Sequence, residues 1–442
     1  MIDFDITSPT QFEIQSLILQ TKNGSIDVSG IFEQLIISDS IFSPCVSGSL
    51  ILIDAVGINK NSLFDGSEIL MMEISKNDDN LKIKKSFRVY KQTDRKMLTQ
   101  TSEQYTLHFV SEEYILSTQQ KINQIFQCTY SEAAAIIVAN YLQINSEKAS
   151  GVFHSSIGLK DIYIPNLSPI DALNWLAKRS IGEDSNPGFL FYENIFGFNF
   201  ANITELYSQG PISSYHFSPK YLGVEQSEFD FFGIKHFEVI QQYDLINSIK
   251  SGLHAAKFIG VDPLTNTYLE RPVDFKDYAE NSSKLNDSPA TPLINNKNGP
   301  SFGQYDSKVV VSPFGYFRKE SDVFDEEEKT KLNDTENYLI QRPRIFSALL
   351  NTRIKSVVSG NFGVSSGLNI HLRAPTYSFK ETEQDADQNV DYSLFGKYMI
   401  IGTKQIITPQ KHETVFEAAK ETIITRGKKD VVYSSASNQT FA

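Results

Sequence analysis

Five residues, Gly363-Val364-Ser365-Ser366-Gly367, have the spacing of a nucleophile elbow, and His371 lies close behind them. In a hydrolase that pattern sets the serine on a sharp turn from strand to helix, which lifts its hydroxyl into a site beside a base. The residues that follow do not read as a helix. Leu368, Ile370 and Leu372 alternate with Asn369, His371 and Arg373, which is the period of a strand. A Gly- and Ser-rich hairpin turn accounts for the match without chemistry.

A second spacing, Asp385, Asp387, Asn389 and Asp391, sets oxygen donors at alternate positions as a calcium loop does. Such a loop needs glycine at its sixth position and a bidentate glutamate at its twelfth, where this chain has Val390 and Gly396. A solvated acidic hairpin tip is the simpler account, and these four residues stand as a calcium candidate only. The seven histidines are scattered, with no pair at the one-turn spacing of a zinc peptidase helix. Cys45 and Cys128 lie in unlike contexts and suggest neither a disulfide framework nor a zinc knuckle. No carboxylate pair singles itself out as a glycosidase acid and base, and Walker and dinucleotide fingerprints are missing. No catalytic, cofactor or metal residue is assigned, and the expectation is a protein that is not an enzyme.

The elements around these residues suit that expectation. A chain of 442 residues exceeds what one core usually serves, so two or three domains are expected. The formal charge of -12 opposes a surface that grips nucleic acid, because phosphate binding needs clustered Lys and Arg. Met1 to Ile6 lack the basic and apolar regions of a signal peptide, and no run approaches the roughly 20 apolar residues that span a bilayer. A soluble protein without membrane insertion is therefore expected.

Apolar and polar alternation marks a first β region over 1–116, with strands at 26–37, 47–54, 68–75, 87–91 and 104–110. An α/β middle region over 117–243 carries three capping-box patterns, Ser117 with Gln120, Thr129 with Glu132, and Ser168 with Asp171. Pro169 opens the third helix, which runs to about Ile181, and an aromatic hairpin follows at 188–192 and 196–200. A second β region over 244–425 begins with strands at 253–261 and 268–275. It is interrupted at 276–350 by an Asn-, Ser- and Pro-rich surface loop and an exposed helix at 322–346, then resumes at 353–358, 367–373, 397–407 and 412–420. Residues 426–442 form a polar tail. The fold class is β-rich α+β.

Several segments resemble the baseplate central hub proteins of contractile-tail, myovirus-type phages, which are related to late-control and type VI spike hub domains. Glu33 to Pro44 followed by Val46 to Asp54 is similar to the opening barrel of that family, and Phe109 to Glu113 to the passage into its helical connector. Tyr163 to Ala177, with Asn186 to Asn194 after it, looks like the family's middle domain, and Phe395 to Ile401 with His412 to Lys420 like its closing hairpin. The resemblance implies two tube-type antiparallel β-barrels around an α/β middle domain, with a long insertion in the second barrel. It implies a homotrimeric ring that adapts a sixfold tail tube to a threefold central spike, and that lines the channel for tape measure and DNA. Partners on this reading are the central spike, tail tube, baseplate wedge and tape measure proteins. On the same reading DNA passes transiently without specific binding, and the charge of -12 leads to the expectation of a lumen whose acidic residues would repel phosphates. The place is the virion tail baseplate, assembled in the host cytoplasm. The alternative is a hub-like component of a bacterial contractile injection spike, type VI-like, and a third reading is a tail-associated hydrolase.

Overall fold

A computed structural model describes residues 12–61, 64–76, 78–144, 151–183, 186–217, 232–262, 267–274, 284–286, 288–289, 305–313, 337–373, 391 and 393–423. The first β region holds β1 (Glu13–Thr21), β2 (Gly24–Asp27), β3 (Phe32–Ser40), β4 (Ser47–Asp54), a single helical turn α1 (Ile58–Asn61), β5 (Ile69–Lys76), β6 (Asp78–Met97) and β7 (Glu103–Ser111). The period of two decides what faces inward. In β3 it buries Phe32, Leu35 and Ile37 and then, at the next inward position, Asp39. A carboxylate thus sits where the pattern calls for an aliphatic side chain.

The middle of the chain supplies α2 (Glu112–Gln119), β8 (Ile122–Cys128), α3 (Tyr130–Asn140), β9 (Lys160–Leu167), α4 (Pro169–Arg179), β10 (Phe189–Asn194), β11 (Gly197–Asn202) and α5 (Ile203–Ser208). Thr129 and Glu132 form the expected capping box on α3, and Ser168 caps α4 through the Asp171 amide at 3.3 Å. Ser117 does something else. It lies near the end of α2, where a helix start was expected, and its buried hydroxyl accepts from the Ile170 N–H of α4 at 3.0 Å. Two orphan amides of the first turn of α4 are thereby satisfied, one by its own cap and one by a neighbouring helix.

The remaining elements are β12 (Ser213–His216), β13 (His236–Gln241), α6 (Leu245–Lys250), β14 (Ala255–Asp262), β15 (Thr267–Asp274), β16 (Ser288–Pro289), β17 (Lys308–Pro313), α7 (Arg342–Leu349), β18 (Thr352–Ser359), β19 (Asn369–Arg373), β20 (Gly396–Ile407), β21 (His412–Lys420) and β22 (Thr422–Ile423). A π-helical turn, Asn337–Gln341, leads into α7. Both β regions belong to one 13-stranded sheet, ordered β13-β18-β21-β20-β3-β4-β7-β6-β5-β1-β2, with β19 and β12 attached through β20. The seam between the regions is the antiparallel ladder of β3 on β20, from Ser40 against Gly402 to Leu35 against Ile407. The order ends at β13 and at β2, so closed barrels are not part of the architecture among the described residues.

Three expectations shift. The β14–β15 hairpin, read as the start of the second β region, stands outside the large sheet in a three-stranded sheet of its own. Its third strand, β17, lies parallel to β14 and comes from the stretch read as an insertion. β12 and β13, read within the middle region, join the large sheet by pairing with β19 and β18. Of the helix expected at 322–346, residues 322–336 lie outside the described residues, as does the tail from 426, and the π-helical turn with α7 covers the remainder and runs three residues further.

Candidate functional site

The β10–β11 hairpin brings the chain's buried polar chemistry to one place. Every residue of both strands is buried, and the side chains alternate between two cores. Phe189 and Phe191 pack with Phe198 and Phe200 into the core of α3 and α4, while Leu190 and Tyr192 enter the core beside Met399 and Ile401 of β20. A hairpin held on both faces points its turn at the β3–β20 seam. Asn194 shapes that turn, its Oδ1 accepting from the amides of Phe196 at 3.0 Å and Gly197 at 3.2 Å.

Glu193, at the end of β10, reaches the first β region. Its Oε2 accepts from the Val46 N–H at 2.9 Å and from the Ser111 hydroxyl, and its Oε1 pairs with Lys85 Nζ of β6 at 3.0 Å. Lys85 also donates to the Asn194 carbonyl at 3.0 Å. On the other side the turn meets residues 363–367. The Asn194 Nδ2 donates to the Ser366 carbonyl at 3.1 Å, and the Ile195 N–H to Ser365 Oγ at 3.2 Å.

Ser365 closes the circuit, because its hydroxyl donates to Asp39 Oδ2 while Asp39 Oδ1 accepts from Thr403 Oγ1 and from the Ser366 N–H at 3.3 Å. Burial raises the Asp39 carboxyl above the usual carboxylate range, and the hydrogen bonds from Ser365, Thr403 and Ser366 oppose that rise. A buried acid with three donors in fixed places is a directional fastener between β3, β20 and the 363–367 turn.

The elbow-like pattern is therefore structural. Ser365 is 0% exposed, with its proton engaged by Asp39, and residues 363–367 lead into strand β19 instead of a helix. Gly367 has φ of +85°, and a Cβ there would lie 2.0 Å from the Tyr192 hydroxyl, so this glycine serves a tight passage over the hairpin. His371 lies on β19, edge-on to Phe395 at 4.9 Å between ring centroids, and burial holds its imidazole down to about 4. Among the calcium candidates, Asp385, Asp387 and Asn389 lie outside the described residues. Asp391 caps a turn, accepting from the Ser393 amide at 2.9 Å. Among the described residues no group of His, Cys, Asp or Glu is placed to hold a metal ion, and no helix is long and apolar enough to cross a membrane.

At the far end of the seam a second buried network is built around Gln405. Its Nε2 donates to the carbonyls of Asn361 at 3.2 Å and Val364 at 3.1 Å, and its Oε1 accepts from Thr414 and meets His412 Nε2 at 2.9 Å. Phe362 stacks on His412 at 4.3 Å and, with Ile407, belongs to the core of the first β region. On α7, Arg342 donates to the carbonyls of Pro187 at 3.0 Å and Phe189, and the fully buried Arg344 to those of Gly252 and Val273. One helix thus ties the middle region to the three-stranded sheet.

Sequence reasoning missed Asp39, Lys85, Glu193 and Thr403. The available signal was local: Asp39 falls on the inward period of a strand, and Glu193 ends an otherwise apolar run.

Solved structures share this fold over nearly the whole chain. A tail protein from Neisseria meningitidis MC58 aligns with a TM-score of 0.52 at 12% identity, over 92% of this chain and 96% of its own. The prophage MuSo2 43 kDa tail protein from Shewanella oneidensis aligns with a TM-score of 0.52 at 10% identity, over 92% and 98%. An E. coli component of the type VI secretion system covers 92% of the chain with a TM-score of 0.42, too low to carry an argument. No family model and no curated protein matches the sequence. At these identities the likeness is one of fold: the chain has the β-rich fold of the two tail proteins.

Proposed function

We propose that this chain is a structural part of a phage-type tail, the baseplate hub between tail tube and central spike, and that it acts as a homotrimer without catalytic turnover. The observation that carries this reading is the shared fold, which spans 92% of this chain and 96% and 98% of the two tail proteins. Two further features support it. The polar groups that could do chemistry are buried and engaged in holding elements together, as in Asp39 with Ser365 and Glu193 with Lys85.

The large sheet also ends in an apolar margin. Among the described residues β13 pairs on one side only, with β18, and it exposes Val239 and Ile240. Tyr243 and Ile246, 75% and 66% exposed, continue that margin into α6. An open strand edge flanked by apolar side chains is costly in an isolated chain and suits a subunit contact.

The test is the solution mass by light scattering, for the protein alone and with a spike protein encoded beside it. Three chains of 49.9 kDa, or a three-to-three complex with the spike, is the expected result. A monomer that ignores the spike overturns the proposal.

A further inference from the structure

We infer that the β10–β11 turn is a latch that fixes the angle between the two β regions at the Ser40–Gly402 end of the β3–β20 seam. Among the described residues the two regions join in the large sheet through one ladder, so a change in the twist of that ladder would turn one region against the other. What stops rocking about that ladder must therefore lie at its ends.

At the Leu35–Ile407 end Phe362, His412 and Phe12 pack with Ile407 beside the Gln405 network, within the chain's own β3–β20 seam. At the Ser40–Gly402 end the contacts are hydrogen bonds and one ion pair, which weaken steeply when misaligned.

The hairpin turn is unusual in holding both regions at once. Glu193 grips Val46, Ser111 and Lys85 of the first, while Asn194 and Ile195 grip Ser366 and Ser365 beside the second. The turn belongs to neither region, since β10 pairs only with β11. It is anchored by the core of α3 and α4 on one face and by the core it shares with Met399 and Ile401 of β20 on the other. Releasing it leaves each region's core intact and frees only the angle between them. This inference stands on these contacts and does not depend on the assembly in which the protein works.

The experiment compares Glu193→Gln with the parent protein by hydrogen exchange and by the distance between spin labels. Labels are placed at the exposed Lys91→Cys of β6 and Lys355→Cys of β18 in a Cys128→Ser background. In the variant, peptides covering 44–48, 109–112, 193–197 and 363–367 are expected to exchange at least tenfold faster. Those covering 50–53 and 412–418 are expected to keep the parent rate, and the label distribution to broaden. Faster exchange spread evenly over both regions, or a distribution as narrow as the parent's, overturns the latch. Should Glu193→Gln not fold, Asn194→Asp keeps the acceptor for the Phe196 and Gly197 amides, removes the donor to Ser366 and is read by the same two measurements, with the same outcomes deciding.

Discussion

Ser365 and Gly367 are two residues of one pentapeptide with opposite tasks. The Ser365 hydroxyl is one of the donors that let Asp39 stay inside the protein, so Ser365→Ala leaves a buried carboxyl short of a partner. A loss of about 1–3 kcal/mol in unfolding free energy is expected from urea denaturation. Gly367→Ala puts a methyl group against Tyr192 at a backbone angle that alanine avoids, and is expected to cost about 2–4 kcal/mol. Tyr192→Phe in the same chain removes the nearest atom and recovers part of that loss, which a double-mutant cycle reads directly. The pentapeptide itself was legible in the sequence, and so was its strand continuation. Its partner Asp39 was not, because the two lie more than 300 positions apart and no local pattern links them.

Elements whose signals are local came through the sequence well. Thr129 with Glu132 and Ser168 with Pro169 mark their helices because capping is settled within four residues. The aromatic run at 188–200 marks a strand pair buried on both faces. Ser117 misled because the amide it serves belongs to another helix, and β17 was lost because its parallel pairing to β14 depends on distant chain.

The end of β21 carries a testable charge effect. Burial lowers the Lys420 ammonium from 10.5 to about 7 and raises the Glu421 carboxyl from 4.5 to about 7. The folded chain then binds the Glu421 proton more tightly than the unfolded chain, so this group's contribution to stability falls as pH rises from 4.5 to about 7. Lys420 acts in the opposite sense. Its proton is held more weakly in the fold, and its contribution rises from about 7 to 10.5. Subtracting the stability profile of Glu421→Gln from that of the parent is expected to isolate the falling limb, and Lys420→Met the rising one. The buried His371 lies at about 4, held down by burial and in part by the Lys420 charge, so the Lys420→Met comparison is read over the limb from about 7 to 10.5 and not near 4.

For the whole molecule, the margin at β13 and α6 makes a prediction separate from the latch. Ile240→Lys with Ile246→Lys changes two exposed side chains, so the melting temperature is expected to hold within a few degrees while a trimer seen by light scattering falls apart. A variant that melts as the parent does and stays trimeric would move the contact elsewhere. The β-rich α+β class was legible, because alternation and turns are repeated in every strand, while the likeness to tail proteins rested on the resemblance of particular segments such as Tyr163 to Ala177. The single shared sheet was not, since a strand's pattern says which face is buried and never which strand lies beside it.

That shared sheet also sets an order of events at the ribosome. β3 is made well before its neighbour β20, which emerges only when residues 396–407 have been translated. Until then one margin of β3 and the carboxyl of Asp39 wait without their native partners, and the Thr403 contact closes a loop of 364 positions. Loops that long close slowly. A nascent chain of this protein therefore carries an open strand edge until residues 396–407 emerge, and truncation between β3 and 396 is expected to leave a fragment that aggregates.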